Sequence, residues 1–174
     1  RRRGRSPRHA GAAMPVTTTA VLFDLDDTLF DHWSCTREAL SALRRCYAGF
    51  RGMLQEALEA EHGSLLEALH LDVLAGRLTV DDARVERFRR LLEHAGEVVD
   101  DRLAQAAADA YRRAYVAHWR PVAGAVALLA ALRGRAAIGV VTNNIASEQR
   151  QKIDACGFGP YLDAVVISEE AGVA

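Results

Sequence analysis

Hydrophobic positions recur along this chain with two different periods, and the switch between them divides it. Val21, Leu22 and Phe23 form a short apolar run of β-branched and aromatic character, which predicts a strand buried on both faces, as in a parallel sheet. After Phe30 the period becomes helical. Leu40, Leu43, Tyr47 and Phe50 recur at spacings of three and four, and Gly49 and Gly52 weaken that stretch. A second helix is predicted from about Met53 to Ala75, with Leu54, Leu58, Leu65, Leu69 and Leu74 among its apolar positions, a break or bend near Gly63 and a stop at Gly76. Thr79 followed by Asp82 reads as a helix cap, and the helix behind it carries Phe88, Leu91, Leu92 and Ala95 before Gly96 ends it. An alanine-rich helix from about Val99 to His118, with Leu103, Ala107, Tyr111 and Ala114 on one face, is stopped by Pro121. Helix and strand then alternate. A helix from Pro121 to Leu132 closes at Gly134, and a buried strand from Ala136 to Val141 ends at Thr142 and Asn143. A helix from Ser147 to Cys156 with Gly157 beyond it and a strand from Ala164 to Ile167 follow.

This order predicts an α/β fold: a doubly wound parallel Rossmann-like core with an inserted all-helical domain. The core is residues 15–30 and 120–174, and the insertion is residues 31–119. Strands 21–25, 136–141 and 164–167 are expected side by side. Nothing in the helical stretch repeats at a fixed period or carries metal-ligand spacing.

The chemistry concentrates where the first strand stops. Asp24, Asp26 and Asp27 cannot lie unpaired in a dry sheet interior, so the strand is expected to end there and to deliver carboxylates to its C-terminal edge, where ligands of open α/β sheets bind. Carboxylates there can act as nucleophiles, bind Mg2+ or move protons. Side chains alternate along an extended chain, so Asp24 and Asp26 would point the same way. The plainer alternative is a strand followed by an Asp-rich turn.

The stretch D-L-D-D-T-L after an apolar strand resembles the first motif of the haloacid dehalogenase-like hydrolase superfamily, in its helical-cap subgroup. V-V-T-N-N at Val140–Asn144 resembles its second motif, and A-V-V-I-S-E-E-A-G-V-A at Ala164–Ala174 resembles its third strand and the approach to its third motif. The resemblance implies Asp24 as nucleophile and Mg2+ ligand. It implies Asp26 as general acid and base, its backbone carbonyl also on the metal. Thr142 and the Asn143 amide would be phosphate contacts. Asn144 stands where the pattern often has Gly, and Asn tolerates a left-handed backbone. A Mg2+-dependent phosphomonoesterase acting on a small phosphorylated substrate is the implied function, and L-A-G-R-L-T in the insertion looks most like pyrimidine nucleotide 5′-monophosphatases. A haloacid dehalogenase and a non-catalytic binding fragment are the competing readings, and Asp26 argues against the first. The third-motif lysine and fourth-motif acid have no counterpart in the 174 residues, so an inactive fragment is expected. Lys152, the only lysine, falls before the third strand and reads as a surface residue.

A chain with 50% hydrophobic and 26% charged residues is an ordinary soluble domain. Its net charge of −1 includes five arginines ahead of His9, and residues 1–14 read as a basic tail or upstream sequence before Met14. Arginines without aromatic neighbours make a poor nucleic-acid site. No apolar run reaches the ~18 residues of a membrane span, which predicts a cytoplasmic protein. Three cysteines without a C-x-x-C pattern predict reduced thiols, and His32 reads as a linker or surface histidine. Oligomeric state is left open.

Overall fold

The computed structural model describes residues 19–172. The predicted basic segment before Met14 and the last two positions of the third-motif resemblance lie outside them.

Three short parallel strands form one sheet in the order β1-β2-β3: β1 (Ala20–Phe23), β2 (Ala137–Thr142) and β3 (Ala164–Ile167). Phe23 pairs with Val140 and Thr142 with Ile167, so the acids after β1 and the Thr-Asn-Asn after β2 leave the sheet at the same edge. The first five of the six helices between β1 and β2 make up the helical insertion: α1 (His32–Cys46), α2 (Ala48–Arg51), α3 (Gln55–Leu74), α4 (Val80–His94) and α5 (Asp101–Ala117). After them come α6 (Ala125–Leu132) before β2, α7 (Ala146–Ala155) between β2 and β3, and α8 (Ser168–Ala171). None of the described helices is long and apolar enough to cross a membrane.

Side-chain caps start three of the helices. Asp31 caps α1 by accepting from the Ser34 amide, Thr79 caps α4 by accepting from the Asp82 amide, and Asp100 caps α5 through Leu103. Tyr47, in an extended conformation, separates α1 from α2, where the sequence pattern had suggested one helix. Gly63 does not break α3, which runs continuously through it. Pro121 lies before α6 rather than within it; it pairs with Phe30 in an isolated bridge, and the Val122 amide donates to the Leu29 carbonyl at 2.7 Å. Arg120 Nε donates to Asp31 Oδ2 at 3.0 Å, so the chain enters and leaves the helical insertion at one pinned point.

The strands are not buried on both faces as the apolar runs suggested. Ile138 and Val140 join Leu129, Ile153 and Phe158 in the core, whereas Leu22, Val141 and Val166 are exposed. Two successive crossovers stepping the same way across a sheet, both of the usual hand, lay their helices on the same face. Among the described residues the opposite face is therefore open. Gly139 sits on it beneath Leu22, whose Cδ2 would stand 2.6 Å from any added Cβ. The insertion has its own interior, where Tyr111 stacks on Tyr115 at 5.8 Å and packs with Phe88 and the buried His62.

Candidate active site at the carboxyl edge of the sheet

β1 ends at Phe23, and the chain then turns sharply. Leu25 is fully buried between exposed Asp24 and half-buried Asp26, and its carbonyl accepts from the amides of Thr28, Leu29 and Phe30. This tight turn takes Asp27 to a φ of 56°, in the left-handed region that Asp tolerates. Asp27 Oδ1 then accepts from the Trp33 amide at 2.7 Å, fixing the start of α1.

Both oxygens of Asp26 are held by α7. Lys152 Nζ donates to Oδ1 at 2.8 Å, and Gln149 Nε2 donates to Oδ2 at 3.1 Å. The same Gln149 nitrogen reaches Thr142 Oγ1 at 2.8 Å and the Asn143 carbonyl at 3.0 Å. Three acceptors around one nitrogen require the amide donor there, which fixes the orientation of the Gln149 side chain. Gln149 thus ties the first strand's acid to the second strand's hydroxyl. Thr142 is itself buried, and its hydroxyl donates to the Asn143 carbonyl at 3.3 Å.

Lys152 is the correction to the sequence reading. It is 1% exposed, lies between Asp26 and Glu148, and stands 4.9 Å from the Phe30 ring centroid. A buried ammonium is tolerated only when paired, and the two carboxylates supply that pairing. His32 is likewise not a surface histidine. Its Nδ1 stands 2.6 Å from the Tyr115 hydroxyl, and burial lowers its pKa, with the nearby Asp26 carboxylate opposing that shift.

The loop after β2 is pinned from α8, which follows the third strand directly. Ser168 Oγ accepts from the Asn144 amide at 3.2 Å, and Glu169 accepts from the Ala146 amide at 2.7 Å in the first turn of α7. Asn144 has a φ of 119°, the positive-φ conformation for which Gly or Asn suits this position.

The structure therefore brings Asp26, Thr142 and Asn143 together through Gln149 and leaves Asp24 open beside them. Among the described residues no group of three or more His, Cys, Asp and Glu side chains forms a ready metal cluster. The open Asp24 carboxylate and the Asp26 carbonyl, which meets no backbone donor among the described residues, fit part of an oxygen-ligand shell of the kind Mg2+ takes. The Asp26 side chain, engaged on both oxygens, is not a free ligand here. All three cysteines are free thiols.

A parallel sheet whose carboxyl edge carries an Asp-x-Asp turn beside a Thr-ended strand defines a class of aspartate-bearing hydrolases. The family model of haloacid dehalogenase-like hydrolases matches residues 18–174, and the chain belongs to that family. It is 30% identical over 154 residues to the pyrimidine 5′-nucleotidase YjjG of Escherichia coli, covering 88% of this chain and 64% of that protein. It is 31% identical over 155 residues to a glyceraldehyde 3-phosphate phosphatase of Methanopyrus kandleri, covering 88% of this chain and 63% of that one. The chain thus spans less than two thirds of the length of these relatives. Among solved structures it resembles the magnesium-bound HAD-hydrolase YfnB of Bacillus subtilis, with a TM-score of 0.68 at 24% identity over 91% of this chain and 67% of that one. It also resembles the L-2-haloacid dehalogenase of Xanthobacter autotrophicus, with a TM-score of 0.62 at 24% identity over 90% of this chain and 59% of that one.

Proposed function

We propose that this chain carries the nucleophile and the acid of a Mg2+-dependent phosphomonoester hydrolase acting on a small phosphorylated metabolite, nucleoside monophosphates included. The observation that carries the reading is the Gln149 bridge, which sets the Asp26 carboxylate beside Thr142 while Asp24 stays open at the same edge. The nucleotidase and phosphatase relatives support phosphoryl over carbon chemistry.

An Asp24 oxygen attacks phosphorus, the ester P–O bond breaks, and Asp26 gives its proton to the departing oxygen. Asp26 then takes a proton from the water that attacks the aspartyl-phosphate, which releases phosphate and restores Asp24. The Asn143 amide donates to a phosphoryl oxygen, and the Thr142 hydroxyl joins it by turning from the Asn143 carbonyl to the phosphoryl group. Asp24 and the Asp26 carbonyl would hold Mg2+, which when bound would offset the charge of carboxylate and phosphate meeting. The helical insertion, residues 31–119, acts as a cap that excludes water.

The dehalogenase reading has the solved dehalogenases of similar fold in its favour, and metal separates the two. In the full-length protein, EDTA should stop hydrolysis of phosphomonoesters and Mg2+ restore it, and mass spectrometry of acid-quenched enzyme should find phosphate on Asp24. Metal-independent release of chloride from 2-chloropropionate would overturn the proposal.

A further inference from the structure

Glu148 sits one turn before Lys152 on α7, is 6% exposed, and divides its two oxygens between two parts of the molecule. Oε2 faces the helical insertion, accepting from Arg84 of α4 at 2.6 Å and standing 2.9 Å from Arg112 of α5. Oε1 faces Lys152 at 3.5 Å, the longer of the two contacts that Lys152 makes with carboxylates. Three cations therefore meet around Glu148, with Asp26 the second partner of Lys152 and exposed Asp81 that of Arg84 at 3.2 Å, and because Lys152 and Glu148 are buried, none of these charges can be treated alone. With Arg84 and Arg112 in place, Glu148 is neutralised from the insertion and Lys152 is committed to Asp26. Were α4 and α5 to withdraw, the cation left beside Glu148 would be Lys152, at the i,i+4 position of the same helix, and Glu148 would compete with Asp26 for it.

We propose that Glu148 is a positioning residue that senses whether the helical insertion is docked and, through Lys152, sets how firmly the Asp26 carboxylate is held. The proposal rests on the reading of Asp26 as the acid and base of phosphomonoester hydrolysis. It assigns Lys152 to holding Asp26 rather than to touching substrate, as its burial requires.

The test uses the full-length protein with Arg84→Gln and Arg112→Gln together. Both arginine side chains are partly exposed, at 31% and 37%, so their neutralisation is compatible with folding. The rate on an alkyl phosphate should fall about tenfold, or about 1.4 kcal/mol. With p-nitrophenyl phosphate, whose leaving group needs no proton, it should change less than about twofold. Adding Glu148→Gln removes the competitor and should bring the alkyl phosphate rate back to within about threefold of wild type. Arg112→Gln alone should move in the same direction by less. Equal losses on both substrates, or a deeper loss in the triple variant, would show the arginines to be mere struts and overturn the proposal. A crystal structure of the double variant decides independently of turnover. Lys152 Nζ should lie about 3 Å from Glu148 and no longer on Asp26. Nζ still on Asp26 would refute the sensing role even in an active enzyme, whereas a wild-type protein without phosphatase activity would refute the functional reading and leave this arm standing.

Discussion

Helices α6 and α7 flank the same strand and use their buried faces for opposite purposes. α6, with the sequence AVALLAAL, buries Ala125 and Leu129 against the sheet core. α7 buries Glu148, Gln149 and Lys152, with only Ile153 apolar among its buried residues. An apolar stripe stabilises by leaving water, whereas a buried amide or ion costs free energy unless each polar atom finds a partner. Lys152 and Gln149 find Asp26, Thr142 and Asn143, and Glu148 finds Arg84 and Arg112, with Gln149 Oε1 the one polar atom of these three side chains left without a partner among the described residues, so this helix is tied to the site and α6 to the fold.

Substitutions in the site and in the two helices should separate these roles. In the full-length protein Asp24→Asn should abolish turnover while circular dichroism stays that of the wild type, because the amide cannot attack phosphorus. Turnover within tenfold of wild type would remove the covalent mechanism. Lys152→Met should cost stability, by about 3–5 kcal/mol in urea unfolding, because Asp26 and Glu148 lose their shared cation. It should also lower the rate on alkyl phosphates. Leu129→Ala should cost a similar about 2–5 kcal/mol of stability but leave the rate of the remaining folded enzyme unchanged. If the two variants lost activity alike, α7 would have no role that α6 lacks.

A smaller effect is expected from pH. Burial lowers the pKa of His32, and lowers that of His62 well below the ordinary value of 6.5. The unfolded chain therefore binds more protons than the native one below about pH 6.5. Their contribution is fully present above that pH and is lost as pH falls toward the native values, by at most about 1.4 kcal/mol per pH unit for each histidine. Urea midpoints between pH 7 and pH 5 should show this decline, and His62→Leu should flatten it; an unchanged slope would mean that another group titrates. The smallest effect should come from Gly63→Ala. A Cβ there meets no atom within 4 Å, so the substitution should add up to about 1 kcal/mol to α3, as read from the thermal midpoint.

Elements whose burial is local were legible in the sequence, and so was the end of the first strand. β3 runs over Ala164–Ile167 as the apolar run indicated, and Thr79 caps α4 through Asp82. β1 stops at Phe23, two residues short of the predicted strand 21–25, so Asp24 and Asp26 both lie past the sheet edge, as three carboxylates that cannot stay in a strand interior require. Lys152 was misread because its partner is 126 residues away, and nothing in its neighbourhood marks a lysine as buried. Gln149 and Glu148 were missed for the same reason. A signal existed: a helix placed between two core strands has to bury one face, and residues 146–155 offer no apolar stripe to bury, so polar residues had to face inward. The strands' two-sided burial was misjudged because it depends on which face the crossovers take, which a short apolar run does not encode.

Asp26, held by Lys152 and Gln149, is the group proposed to protonate the leaving oxygen. The measurement that tests this most directly compares Asp26→Asn with wild type in the full-length protein on an alkyl phosphate and on p-nitrophenyl phosphate. Loss of a general acid should lower the alkyl phosphate rate about 10²–10⁴-fold. The nitrophenolate, which leaves without a proton, should suffer much less. An equal or greater loss on p-nitrophenyl phosphate would contradict the acid role of Asp26 and, with it, the purpose assigned to the buried polar face of α7.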